Sequence, residues 1–446
     1  MNIEKAVIKK IVHGGFGLSH LSSGKTLLVQ RTLPGEIIKI AVTETKKNYS
    51  IGRLQKIILP HKKRAPAPCK YYDQCGGCNL QHCDIPTQLT IKKNILLDLL
   101  QRSREGNVQN AVNTVANPVA SPSDFGYRQR IRLLVDEDGR VGFRRFRSHR
   151  VCHVDHCLLA APPINDSLER LVKQEGFQSL MKLATEIELQ LNPGSAKIAC
   201  LIHFRRKPRP SDVKAAKSLC STILTIETIF FLGDDYQMMG PYGSQEKPPA
   251  KHLHISYPEV KDRVPPLEFF WEAGGFCQVN LEQNRQLIQI VLNFSKVGKN
   301  ETVLDLFCGM GNFSIPLARQ AKQVTGIEGQ GGAIRSARLN SEHDGLDNTE
   351  FIKGSINDSC RKLREQGICF DCVIIDPPRQ GIPSLASTLA ELTKKRLVYI
   401  SCDPATLCRD LDDLTETGFT IQEIQPIDMF PQTHHIETVV LLEKTG

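Results

Sequence analysis

A chain of 446 residues can hold two or three domains, each with its own core. A hydrophobic fraction of 40% with 24% charged residues excludes a disordered chain, and no apolar run reaches bilayer length. The formal net charge of +9 is concentrated at the start, where residues 1–65 carry ten Lys and three Arg against three Glu. A basic module on a near-neutral body points to a polyanionic partner, with nucleic acid the first candidate. Met1–Lys5 lacks the apolar centre of a signal peptide, so a cytosolic protein without membrane association is expected. In a reducing compartment, 15 cysteines argue for metal ligation, catalysis or packing rather than disulfides.

Up to about Pro68, short apolar runs alternate with turns, as in Thr26-Leu27-Leu28-Val29 and Glu36-Ile37-Ile38-Lys39-Ile40. This spacing predicts a small β-barrel. Gly14-Gly15-Phe16-Gly17, followed by Arg31-Thr32-Leu33-Pro34-Gly35-Glu36, resembles the TRAM domain, an OB-like RNA-binding module. Beyond the linker His61–Pro68, the chain places Cys69, Cys75, Cys78 and Cys83 within fifteen residues. Thiolates at that density select zinc or an iron–sulfur cluster, and spacing alone leaves Cys83, Cys152 and Cys157 competing for the fourth place.

Pro86–Arg102 reads as an amphipathic helix. Tyr127–Val135 and Val141–Arg147 flank an Asp-Gly turn and predict a hairpin with arginines along one face. That face is either a salt-bridged surface or a contact for phosphates and unstacked bases. Residues 160–266 carry helix and strand patterns but no motif. From Glu301 onward, strands and helices alternate, which predicts a doubly wound α/β sheet.

Three stretches of this last region carry chemistry. Asp305-Leu306-Phe307-Cys308-Gly309-Met310-Gly311-Asn312 follows the first strand, and Glu328 ends the second, as in folds that bind a nucleoside. The Asp-x-x-x-Gly-x-Gly form favours S-adenosylmethionine over a dinucleotide, since no pyrophosphate needs a helix amino terminus. Val373–Ile375 leads into Asp376-Pro377-Pro378-Arg379, and Leu397–Ile400 into Ser401-Cys402-Asp403-Pro404. Two strands therefore aim a carboxylate and a thiol at one crevice. Taken alone, Cys402 reads as a packed core thiol and Glu437 as a strand-edge carboxylate.

Together with Phe276-Cys277-Gln278-Val279-Asn280 and Asp428–Glu437, these motifs resemble RNA uracil-5 methyltransferases. The likeness is strongest over 271–446, and Cys-x5-Cys-x2-Cys resembles the branch that carries a 4Fe–4S cluster and modifies large-subunit ribosomal RNA. It implies a Rossmann-like class I methyltransferase domain, an N-terminal OB-like barrel and a central α+β iron–sulfur domain. The implied boundaries are 1–68 for the barrel, 69–87 with 120–270 for the central domain, and 88–119 with 271–446 for the catalytic domain. The resemblance further implies Cys402 as nucleophile and Glu437 as the base that removes the C5 proton. It implies Gln278, Phe307, Asn312, Glu328, Ser355 and Asp376 as contacts to S-adenosylmethionine or the target base. Ser355 stands where relatives can carry an amide or acidic side chain. Implied cluster ligands are Cys69, Cys75, Cys78 and Cys157, and the partner is RNA, ribosomal or transfer, met by a monomer.

The chemistry unites these groups. Uracil C5 cannot attack a sulfonium methyl unaided; a thiolate added at C6 makes it nucleophilic, and a base must then take the C5 proton. Such a cysteine is expected in a polar, partly exposed site that lowers its pKa. Cytosine-5 methylation is disfavoured because Arg379, not cysteine, follows Asp376-Pro377-Pro378. A radical enzyme would need Cys-x3-Cys-x2-Cys. A non-catalytic RNA-binding assembly factor would need none of the intact thiol, carboxylates and glycine loop.

Overall fold

A computed structural model describes residues 3–244, 252–259 and 266–445. Strands β1 (Ile3–Val7), β2 (Lys10–Val12), β3 (Phe16–His20), β4 (Thr26–Gln30), β5 (Ile37–Thr45) and β6 (Tyr49–Leu59) form one sheet, ordered β1-β5-β6-β4-β3-β2. Alternation along β4 and β5 buries Leu27, Val29, Ile38 and Ile40 on its inner side. Glu36 is fully buried and satisfied by Arg64, by the Leu33 amide and by the His61 amide, which locks the outgoing linker onto the sheet.

Helix α1 (Ile85–Leu100) begins at Asp84, whose carboxylate accepts from the Thr87 amide, with Pro86 in the first turn. Its Ile91 and Ile95 pack with the first sheet, while Leu96 and Leu100 join the core of the C-terminal sheet. A short helix, α2 (Gly106–Asn110), and a 3-10 turn at Ala111–Thr114 come next. Bridges Val115–Ile424 and Val119–Ile427 then add the chain to the C-terminal sheet's edge.

The central sheet contains β7 (Arg130–Val135), β8 (Val141–Arg144), β9 (Val151–His153), β10 (Ala184–Asn192), β11 (Lys197–Phe204), β12 (Ile226–Gly233) and β13 (Tyr236–Tyr242). Its order is β13-β12-β11-β10-β7-β8-β9, and α3 (Pro162–Leu171), α4 (Glu175–Met181) and α5 (Pro210–Thr222) cover it. The predicted hairpin forms as β7–β8, with Leu134 opposite Gly142. A second hairpin, β14 (His252–Tyr257) and β15 (Leu267–Glu272), packs against the C-terminal region, where the Asn340 side chain bonds both backbone groups of Phe270. The boundary expected at 270 therefore cuts through a hairpin whose core is shared with the C-terminal sheet.

After α6 (Leu281–Ser295) come β16 (Thr302–Leu306), α7 (Ser314–Ala318), β17 (Gln323–Glu328), α8 (Gly331–His343), β18 (Thr349–Lys353) and α9 (Ile356–Glu365). The chain ends with β19 (Phe370–Ile375), α10 (Ala386–Leu392), β20 (Thr393–Ser401), α11 (Pro404–Glu416), β21 (Phe419–Ile427) and β22 (Glu437–Lys444). Their order is β18-β17-β16-β19-β20-β22-β21, with β22 antiparallel to both neighbours. Alternate residues of each strand enter two different cores, such as Val398 and Ile400 in one and Leu397 and Tyr399 in the other. Burial on both faces explains the unbroken apolar runs in the sequence.

One ion pair ties α1 to the β21–β22 loop. Lys92 and Asp428 are both fully buried, 2.5 Å apart, and Lys92 also donates to the Phe430 carbonyl at 3.0 Å. Lys92→Met should lower unfolding free energy by about 3–5 kcal/mol by stranding a buried carboxylate. Lys92→Met with Asp428→Leu should recover most of that loss. Urea unfolding of both variants checks it.

Candidate active site

The register of the C-terminal sheet brings its candidate site residues to one edge. Leu306 lies opposite Ile327 on one side and Ile375 on the other, and Ile375 opposite Tyr399. Phe307, Glu328 and Asp376 therefore emerge side by side at the carboxyl ends of β16, β17 and β19. Cys402 comes directly after β20, and Asp403 caps α11 by accepting from the Ala405 and Thr406 amides. Because β22 runs the other way, with Thr438 opposite Ser401, its first residue, Glu437, opens at the same edge. Glu328 and Cys402 are three strand spacings apart, about 14 Å.

Phe307 holds φ at 62°, a strained conformation for a bulky residue, in the loop where β16 turns away from the sheet. Asn312 makes a reciprocal amide pair with Asn284 on α6, at 2.8 and 3.0 Å, and Asn284 also reaches Tyr257. Glu328 accepts from the Gln330 amide at 2.7 Å. Gln278 is buried on the segment before α6, which Asn280 holds to the Met429 carbonyl. Ser355 is exposed at the start of α9, just after Gly354, whose amide reaches the Glu328 carbonyl.

Three carboxyls at this edge are held above their ordinary range. Burial pushes Asp305 up to about 7, against a 2.5 Å hydrogen bond from Ser314. Asp376 is raised to about 7 by burial and by Asp305, and Glu437 to about 8 by burial and by Asp376. Cys402 departs from the expected lowered pKa: burial pushes its thiol up to about 12, Glu437 and Asp376 add to the rise, and Arg379 opposes it. Carboxylates, not cations, dominate the thiol's surroundings in the free protein. Arg379 is exposed, and its carbonyl is pinned to α11 by Thr406. His434 and His435 are kept neutral by burial, and His434 Nδ1 is 2.7 Å from Asn79 Nδ2. From the first sheet, His13 comes within 3.4 Å of Asp403. Sequence patterns missed Asn284, His13 and the Lys92–Asp428 pair, because each acquires its partner only through folding.

A second site lies under the central sheet. Cys69, Cys75, Cys78 and Cys157 line one cavity of about 360 Å³ with Arg128, Arg130 and Arg132. Burial raises Cys75 to about 11 and Cys78 to about 12, and raises Cys157 as well. Among the described residues no three Cys, His, Asp or Glu side chains are grouped to grip one ion. Four thiols lining one cavity are a donor set that a zinc ion or an iron–sulfur cluster would take. Cys83 is instead buried in the first sheet's core, and Cys152 in that of the central sheet.

The arginine hairpin divides. Arg130 and Arg132 pair with the buried carboxylate of Glu188, whereas Arg144, Arg145 and Arg150 remain exposed around the β8–β9 turn. Near Cys402, Arg379→Gln should slow iodoacetamide alkylation of Cys402 several-fold at pH 8, because removing the opposing cation raises the thiol further. Mass-spectrometric alkylation kinetics at that residue check it.

The family model for tRNA (uracil-5-)-methyltransferases matches residues 258–445. The 23S rRNA (uracil(1939)-C(5))-methyltransferase RlmD of Pseudomonas putida is 32% identical, covering 98% of this chain and 92% of its own. Its namesake from Vibrio cholerae is 31% identical, covering 99% and 96%. Among solved structures, the tRNA (uracil-54, C5)-methyltransferase of Pyrococcus abyssi, in complex with S-adenosyl-L-homocysteine, superposes with a TM-score of 0.73 at 25% identity, over 98% of this chain and 99% of that one. With a relative of 32% identity spanning nearly its whole length, the chain belongs to the RNA (uracil-5) methyltransferase family.

Proposed function

We propose that this protein transfers a methyl group from S-adenosylmethionine to C5 of a uridine in 23S ribosomal RNA. The observation that carries this reading is the antiparallel pairing of β20 with β22, which opens Cys402 and Glu437 at one edge beside Asp376. Ribosomal RNA is favoured over transfer RNA because the 32%-identical relative acts on 23S rRNA, whereas the solved tRNA enzyme is 25% identical.

In this mechanism the Cys402 thiolate adds to C6 of the flipped uracil, moving electron density onto C5. C5 attacks the sulfonium methyl, whose bond electrons return to sulfur and leave neutral S-adenosylhomocysteine. Glu437 takes the C5 proton; the C–H electrons restore the C5–C6 double bond and expel Cys402. The sulfonium charge bears on the raised pKa values: a cation arriving at this edge favours ionised Asp376 and Glu437 and opposes their effect on the thiol. Glu328, Phe307, Asn312, Gln278 and Ser355 are assigned to the donor or the target base.

Cys69, Cys75, Cys78 and Cys157 would hold a 4Fe–4S cluster, which supplies, when bound, a one-electron couple and a rigid cross-link. The proposed division is an RNA-binding barrel to 68, a central cluster and RNA-contact domain, and a catalytic domain that includes 88–119. The shared core of Leu96, Leu100 and Val115 with the C-terminal sheet supports placing 88–119 there.

Cys402→Ala should abolish methyl transfer while donor binding by calorimetry survives. Glu437→Gln should cut turnover about 10²- to 10⁴-fold and leave a methylated RNA–protein adduct on denaturing gels. Since only ionised Glu437 accepts the proton, adduct release in single-turnover assays should speed up as pH rises toward about 8 and level off above it. Protein isolated anaerobically should be brown and bleach in air. Stoichiometric zinc without iron would overturn the cluster assignment. Mapping 5-methyluridine in 23S rRNA from cells lacking the protein tests the substrate.

A further inference from the structure

The cluster cavity and the loop that delivers Glu437 share a wall. Asn79 and Leu80, immediately after Cys78, both donate their amides to the Gln432 carbonyl, at 3.1 and 3.0 Å. Tyr127 donates its hydroxyl to the Pro431 carbonyl at 3.0 Å. Arg128 lines the cavity, and its guanidinium lies 5.7 Å from the centre of the Phe430 ring.

Arg128 differs from the other two arginines of that cavity. Arg130 and Arg132 are neutralised by Glu188, whereas among the described residues no carboxylate pairs with Arg128, and its buried Nε has no hydrogen-bond partner. Its guanidinium otherwise meets Tyr127, and the buried nitrogen left without an acceptor favours an anion at this point of the cavity. Four thiolates around a 4Fe–4S core carry net negative charge, which supplies that anion.

Resting on the proposed cluster, we propose that Arg128 is a positioning residue: it is the counter-cation of the cluster and, with Tyr127, clamps residues 430–432 so that cluster occupancy sets the alignment of Glu437. The cluster is then a structural element of the proton-removal step, acting through Arg128, Phe430 and the Gln432 backbone. The cation–π contact is strengthened by its sheltered setting.

The test uses full-length protein reconstituted anaerobically with iron and sulfide, in wild-type, Arg128→Met, Arg128→Lys and Tyr127→Phe forms. Three quantities are read: the cluster's midpoint potential, steady-state kinetics, and the fraction of enzyme caught as a covalent adduct with unmodified uridine RNA. Arg128→Met should move the potential to a more negative value, because a lost positive charge disfavours the added electron. It should also lower kcat about tenfold at unchanged KM and raise the adduct fraction, as expected when a base is misplaced. Arg128→Lys should restore both. Tyr127→Phe should raise the adduct fraction while leaving the potential at the wild-type value. A wild-type potential and kcat in Arg128→Met would overturn the proposal, as would an unchanged adduct fraction in Tyr127→Phe. If Arg128→Met fails to retain iron, the Tyr127→Phe adduct fraction decides alone. Wild-type protein that takes up zinc and no iron would instead sink the cluster reading itself, before any variant is made.

Discussion

The buried contact between the Lys92 ammonium and the Asp428 carboxylate underlies the arrangement of the active edge. Lys92 sits in a helix whose upper half packs with the first sheet and whose lower half packs with the C-terminal sheet. Asp428 starts the loop that turns β21 into β22 and so delivers Glu437. Two charges removed from water are tolerated only with close pairing, so this contact leaves little freedom in how helix and loop meet. Gln88 reinforces it one turn earlier through hydrogen bonds with the Gln432 amide and side chain. Gln432 itself takes φ of 71°, a conformation that these surrounding bonds hold in place.

Burial and neighbouring charge set the protonation of the carboxyls at this edge. Burial raises Asp305, Asp376 and Glu437 alike, and Asp305 adds to the rise at Asp376 as Asp376 does at Glu437. Cys402 shares in this: burial raises its thiol, and the charges of Glu437 and Asp376 add to the rise.

The three units are interlocked rather than strung together. His13 of the first sheet approaches Asp403 beside Cys402, Asn79 of the cysteine loop meets His434, and a Cβ added to Gly15 would fall 2.6 Å from the Asn79 amide. The turn at Gly14 and Gly15, both at positive φ, is thus held between barrel and catalytic loop. RNA bound along the exposed arginines Arg144, Arg145 and Arg150 would lie on the β8–β9 turn, whose Arg144 carbonyl accepts from the Gly76 amide in the cysteine loop.

Much of this was legible in the linear chain. Apolar runs bounded by turns marked the sheets, because strands buried on both faces must be continuously apolar, as Leu397–Ile400 is. The glycine loop, Glu328, Asp376 and Cys402 each sit at a strand's end, where local pattern suffices to locate them. What local pattern could not carry was pairing between residues hundreds of positions apart. Lys92 read as one more charge on an amphipathic helix, and the hairpin arginines read as one face. Only tertiary packing supplied Asp428 to the first and Glu188 to two of the second, leaving Arg128 without an acid among the described residues. The elevated thiol of Cys402 belongs to the same class. Strand-end placement comes from sequence periodicity, whereas a pKa comes from the dielectric and charges that the whole fold assembles around the group.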